Sequence, residues 1–186
     1  MLGFRTNVRK EKVMRILGVD PGLTRCGVGV IDLDARRIPA FIHVQVIRTS
    51  ADLDLAKRLG LLSEQIKEIF RIYQPDSVAV ERVFSQLNVR TAMGTAQASA
   101  VAILAATELD LPVFMYTPTE VKAAVTGSGR ADKKQITAMV ARHLKLTELP
   151  KPADAADSLA LALCHAWRGT GQERIKLAST KVRLSR

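Results

Sequence analysis

Two short, largely apolar runs in this chain each end in a single carboxylate, and that feature constrains the fold most. Residues 13–19 run into Asp20-Pro21-Gly22, and Val78-Ala79-Val80 runs into Glu81. A short apolar run closed by a turn signal reads as a buried strand. An acid at the end of such a strand must be paired, metal-bound or near the surface, because a lone ionised carboxylate is too costly to bury. Two acids at strand ends are therefore candidates for a shared site.

The rest of the chain supplies a frame for those strands. Residues 26–33 are β-rich, and 41–47 alternate with β-branched residues, so the first three strands read as a meander of hairpins. Residues 53–73 have helical periodicity, with Leu55, Leu59, Leu62, Ile66, Ile69 and Phe70 on one face. A strand over 77–80 follows, then a small-residue helix over 89–109 and a strand over 113–116. Thr117-Pro118 opens a helix by cap and first-turn preferences. Residues 127–129 form a Gly-Ser-Gly loop, 132–144 read as helix, and a last helix is expected from about 154 to 167. Three strands followed by alternating strands and helices indicate an α/β domain with a five-stranded mixed sheet flanked by helices. In open α/β sheets, ligand sites lie at the carboxyl ends of strands, where Asp20 and Glu81 fall.

Charge points to a polyanionic partner. The chain has 186 residues, a net charge of +10 and a pI near 10.1. Much of the excess is terminal: residues 1–13 carry +3 and 168–186 carry +5, leaving +2 in between. The expected organisation is a flexible N-terminal extension (1–13), a single folded body (14–167) and a basic C-terminal tail (168–186). Within the body, residues 122–145 hold Lys122, Arg130, Lys133, Lys134, Arg142 and Lys145 against Asp132 alone. The two cysteines fit no metal spacing, the first residues contain no apolar signal core, and the longest apolar stretch, around 98–106, is too short to span a bilayer. A reducing cytoplasm is the expected location, with no membrane association.

Asp154 and Asp157 are three apart at the start of the last helix and share a face. Singly, each acid has a simpler use: Asp20 builds a turn, Asp154 and Asp157 cap a helix, Glu81 is an exposed strand end. Together, four acids from three segments offer the oxygen ligands that Mg²⁺ prefers, and two such ions can drive phosphodiester hydrolysis.

The segments that carry these acids resemble a known family. Ile16-Leu17-Gly18-Val19-Asp20-Pro21-Gly22 resembles the first signature of the RuvC Holliday junction resolvases, and Ala79-Val80-Glu81-Arg82-Val83-Phe84 their second. Val121-Lys122 with Val125-Thr126-Gly127-Ser128-Gly129-Arg130-Ala131-Asp132-Lys133 is similar to the third, and Asp154-Ala155-Ala156-Asp157-Ser158-Leu159-Ala160 to the fourth. Order and spacing match from about residue 14 to 167. The resemblance implies a ribonuclease-H-like fold whose first three strands are antiparallel. It implies a metal cluster of Asp20, Glu81, Asp154 and Asp157 holding two Mg²⁺ ions, with Mn²⁺ able to substitute, and Lys122 and Lys133 beside the scissile phosphate. It further implies four-way junction DNA as substrate, paired nicks, a homodimer, and the RuvA and RuvB branch-migration proteins as partners.

Other residues have two readings each. Phe84, in a polar loop with Gln86, Asn88 and Arg90, is either a buried anchor or a wedge that stacks on an unpaired base. Arg90, Arg130 and Lys134 are candidate phosphate contacts. In the 89–109 helix, Ala92, Gly94, Ala96, Ala98, Ser99, Ala100 and Ala102 pack one face on the sheet, and another face is free to meet its twin across a two-fold axis. His43, His143 and His165 read as packing or surface residues. A sugar-kinase-like ATPase shares the strand–Asp–Gly opening but needs a second domain. A DNA-architectural protein would account for the charge but not for four acids, and a related nuclease acting on RNA or flaps is the third alternative.

Overall fold

The computed structural model describes residues 13–82 and 89–184, with side chains described for 13–82 and 91–169. Strands β1 (Met14–Asp20), β2 (Arg25–Leu33) and β3 (Pro39–Arg48) form the expected antiparallel meander. Helix α1 (Leu55–Tyr73) leads to β4 (Ser77–Glu81), which lies parallel to β1. Helix α2 (Val89–Thr107) leads to β5 (Val113–Tyr116), parallel to β4. Helices α3 (Pro118–Thr126), α4 (Lys133–His143) and α5 (Ala153–Leu184) complete the chain. The sheet order is β3-β2-β1-β4-β5.

Helix starts are fixed by local chemistry. Asp54 caps α1 by accepting from the Lys57 amide, and Thr117 with Glu120 and Asp132 with Gln135 form reciprocal capping boxes at α3 and α4. Gly127 closes α3 at φ 78°, a conformation that suits glycine. One expectation is corrected. The last helix does not stop near residue 167 but continues to Leu184. Glycine in a helix costs only about 0.5–1 kcal/mol against alanine, too little to end it. At Gly169 the residue is also required, since a Cβ there would overlap the His165 ring.

The two faces of the sheet are covered differently. Leu17, Val19, Val28, Val30, Val78 and Val80 face α1 and α2, joining Leu62, Ile66, Phe70, Ala98 and Ala102 in one core. Ile16, Ile31, Leu33 and Ala79 face α3, α4 and α5, joining Val121, Ile136, Leu159 and Leu163 in the other. Side chains alternate along a strand. Gly18 and Asp20 therefore share the α5 face with Ile16, and Glu81 shares it with Ala79.

On that face α5 meets the strands at backbone contact. A Cβ on Gly18 would overlap the Ser158 carbonyl oxygen, one on Gly27 would overlap that of Asp154, and one on Gly29 would lie 2.9 Å from the Leu159 amide nitrogen. Gly60, on the exposed side of α1, has nothing within 4 Å of where its Cβ would stand. Gly27→Ala is therefore expected to lose about 1–3 kcal/mol or more, and Gly60→Ala to gain about 0.5–1 kcal/mol. Chemical denaturation measures both, and a neutral Gly27→Ala would contradict the close seating of α5.

Candidate active site

β1 and β4 run parallel with Val19 opposite Val80, so the next residue of each, Asp20 and Glu81, end neighbouring strands on the same face. α5 begins directly above them, because the glycines of β1 and β2 admit its backbone. Asp154 lies in the first turn of α5 and Asp157 one turn along, with side chains 21% and 29% exposed. α3 and α4 bring the cations: Lys122 is half-buried on α3, and Lys133 opens α4 immediately after its Asp132 cap.

The electrostatics of these groups are coupled. Burial raises the Asp20 carboxyl to about 8, helped by repulsion from Glu81, Asp157 and Asp154 and opposed by Lys133. Burial likewise raises Glu81, with Asp157 adding to it, while a hydrogen bond from Asp20 and the charges of Lys133 and Lys122 pull it down. Asp157 is raised by burial and by Asp154 against Lys133 and Lys122. Burial and like charge thus favour the protonated form of both Asp20 and Glu81, and the cluster as a whole attracts positive charge.

Two carboxylates already have cationic partners. Arg25 Nε lies 3.3 Å from Asp154 Oδ2, and Lys133 Nζ lies 3.5 Å from Asp157 Oδ2. Among the described residues, no three acids are drawn together as a finished metal cage. The donor set nevertheless suits a hard cation: four carboxylates, mutually repelling, on one face. Beside the cluster opens a groove of about 740 Å³, lined by Asp20, Gly22, Thr24, Arg25, Arg58, Thr95 and Asp154 among others. A more apolar pocket of about 450 Å³ lies at the other end of β4, between the carboxyl ends of α1 and α2.

Comparison with known proteins identifies the family to which this fold belongs. Residues 16–165 match the family model described as "Crossover junction endodeoxyribonuclease RuvC". This chain belongs to the RuvC family. It is 59% identical over 166 residues to the crossover junction endodeoxyribonuclease RuvC of Parafrankia sp., covering 89% of this chain and 93% of the relative. The RuvC of Rhodococcus jostii is 60% identical over 165 residues, covering 89% and 87%. Among solved structures, T. thermophilus RuvC in complex with Holliday junction substrate superimposes with a TM-score of 0.80 at 34% identity, covering 84% of this chain and 94% of that one. The five-stranded α/β architecture is that of the RuvC, ribonuclease-H-like fold.

In this RuvC-family chain the structure brings together six of the residues singled out from sequence: Asp20, Glu81, Asp154, Asp157, Lys122 and Lys133. Arg130 and Lys134 are exposed on the α3–α4 segment. Phe84 lies outside the described residues, and Arg90 falls in α2 without a described side chain. The histidines serve packing: His43 stacks on Tyr73 at 4.8 Å, His143 bonds the Val125 carbonyl, and buried His165 bonds Tyr116 at 2.8 Å. Sequence reasoning missed Arg25 and Arg58. The signal for Arg25 was its place at the start of the strand hairpinned to Asp20.

A raised carboxyl makes the folded state bind more protons than the unfolded one. The stability Asp20 contributes is full below its ordinary value of 3.8 and is lost as pH rises through about 8. Asp20→Asn is therefore expected to melt higher than wild type in metal-free buffer, by a margin that grows from pH 5 to pH 9. A margin independent of pH would contradict the crowding of Asp20 among like charges.

Proposed function

We propose that this chain resolves Holliday junctions in DNA recombination and repair, cutting them by paired symmetric nicks at two metal-dependent sites. The observation that carries the reading is the convergence of Asp20, Glu81, Asp154 and Asp157 on one face of the sheet, with burial and mutual repulsion raising Asp20 and Glu81. These four would hold Mg²⁺, two ions per site, with Mn²⁺ able to substitute. Bound there, the metal supplies an activated water and charge neutralisation for the departing 3′-oxygen.

The remaining work falls to the chain's own residues. To hold the metal, Asp20 and Glu81 would both have to be ionised, so metal binding would work against their raised carboxyls. Asp157 would be a ligand, and Lys133, 3.5 Å from it, would then be free to face the scissile phosphate as a point charge. Lys122, half-buried within the field of Glu81 and Asp157, holds the same region positive from the α3 side. Arg90, Arg130 and Lys134 contact the flanking backbone, and Phe84 wedges against a base at the crossover. The basic stretch from 168 onward binds DNA by counterion release.

One cluster makes one nick, so paired nicks need two copies. α2 supports a symmetric dimer. Met93 and Leu104 are 57% and 61% exposed, and with exposed Ala96 and Ala100 they form an apolar stripe at helical spacing. RuvA and RuvB would deliver the junction. Among the described residues no helix is long and apolar enough to cross a membrane, and the protein is read as acting on DNA in the cytoplasm.

Asp20→Asn, Glu81→Gln and Asp154→Asn are each expected to abolish cleavage by at least 100-fold while junction binding survives, since binding draws on Lys and Arg contacts to phosphate. A gel assay on a synthetic junction in Mg²⁺, with duplex and single strands alongside, checks this. Full cleavage by any variant would remove that residue from the site. Ala96→Glu is expected to give monomers in sedimentation and single, uncoordinated nicks on a cruciform plasmid. A dimeric Ala96→Glu would place the interface elsewhere.

A further inference from the structure

The groove beside the acids contains two arginines that the mechanism above does not use. Arg58, on α1, donates from Nε to Thr49 Oγ1 at 2.9 Å and from Nη2 to Thr24 Oγ1 at 2.8 Å. Thr49 Oγ1 in turn donates to the Leu23 carbonyl. The guanidinium is thus held rigidly against the β1–β2 turn that follows Asp20. Among the described residues its partners are hydroxyls rather than a carboxylate, so its positive charge faces the groove without a matching negative one. Arg25 lines the same groove from the start of β2, and its partner is Asp154, 3.3 Å away. That pair is weak by nature: the side chains are 55% and 21% exposed, and water screens such contacts. A divalent cation competing for Asp154 would displace Arg25 readily.

We propose that this groove is a phosphate subsite for the DNA strand flanking the cut, with Arg58 as its permanent grip and Arg25 as a second grip freed when Asp154 turns to metal. The inference rests on the metal reading above for its Arg25 half only. A fixed guanidinium fork suits a phosphate, presenting several donors in one plane. Thr24, Thr95 and Gln97 add polar groups to the lining of the groove. Metal occupancy and strand binding then become coupled: the ion that occupies Asp154 also releases a cation for the backbone beside the cut.

The test measures junction binding by fluorescence anisotropy against salt concentration, in EDTA and in Ca²⁺, with the DNA verified intact on a denaturing gel. Each lost phosphate contact lowers the slope of log affinity on log salt by about 0.7–0.9. Arg58→Gln is expected to lower the slope by that amount in both buffers. Arg25→Gln is expected to match wild type in EDTA and to fall below it by that amount in Ca²⁺ alone. Arg58→Lys, which keeps the charge and loses the fork to the threonines, is expected to retain the wild-type slope. An unchanged Arg58→Gln slope, or an Arg58→Lys that loses as much as Gln, overturns the groove as a phosphate site. An Arg25→Gln effect that is equal in the two buffers overturns the hand-over. Calorimetric titration of Ca²⁺ into wild type separates the premises: no binding there overturns the metal reading, while the groove still stands or falls on the Arg58 variants.

Discussion

The seating of α5 on the glycines of β1 and β2 is the contact on which the site depends. Gly18, Gly27 and Gly29 lie where the α5 backbone touches the sheet, and a methyl group at any of them would intrude on main-chain atoms or on Leu159. That approach sets the first turn of α5 over the end of β1, where Asp154 and Asp157 come within the field of Asp20 and Glu81. A helix pushed outward by larger strand residues would still cover the core. It would not deliver two carboxylates to the carboxyl edge of the sheet. Close-packed interiors pass such displacements on rather than absorbing them.

Having been brought together, the acids are uncomfortable. Their charges repel and burial removes water, which favours the protonated form of Asp20 and Glu81, and cations stand beside Asp154 and Asp157. A divalent cation bound to these acids would replace the proton and compete with both partly exposed ion pairs. Among the described residues the acids form no finished cage, and on the proposed reading a metal and a phosphate would answer opposite halves of the same imbalance.

Much of this was legible in the amino-acid sequence, for identifiable reasons. Asp20 and Glu81 were visible because each closes an apolar strand run, and the order of strands and helices followed from β-branched alternation, helical periodicity and capping residues such as Thr117 and Asp132. The four signatures placed Asp154, Asp157, Lys122 and Lys133 beside them. The glycine seat was not visible: a glycine in a strand does not announce what packs on it, and only the register of β1, β2 and α5 shows three on one line. Arg25 and Arg58 escaped because an exposed arginine follows no periodicity, and their partners are set by tertiary proximity. The helix was expected to end near 167 yet runs to Leu184, since a glycine at 169 costs too little to stop it and its missing Cβ makes room for the His165 ring.

The central claim is that three distant segments form one cation site above the carboxyl edge of β1 and β4. Paramagnetic broadening by substoichiometric Mn²⁺, read on backbone amides by nuclear magnetic resonance, tests it most directly. The amides of residues 18–22, 79–82 and 153–158 are expected to broaden together at the lowest Mn²⁺ levels, before those around the basic 122–145 stretch. Broadening confined to one of the three segments, or centred elsewhere on the domain, would contradict the account.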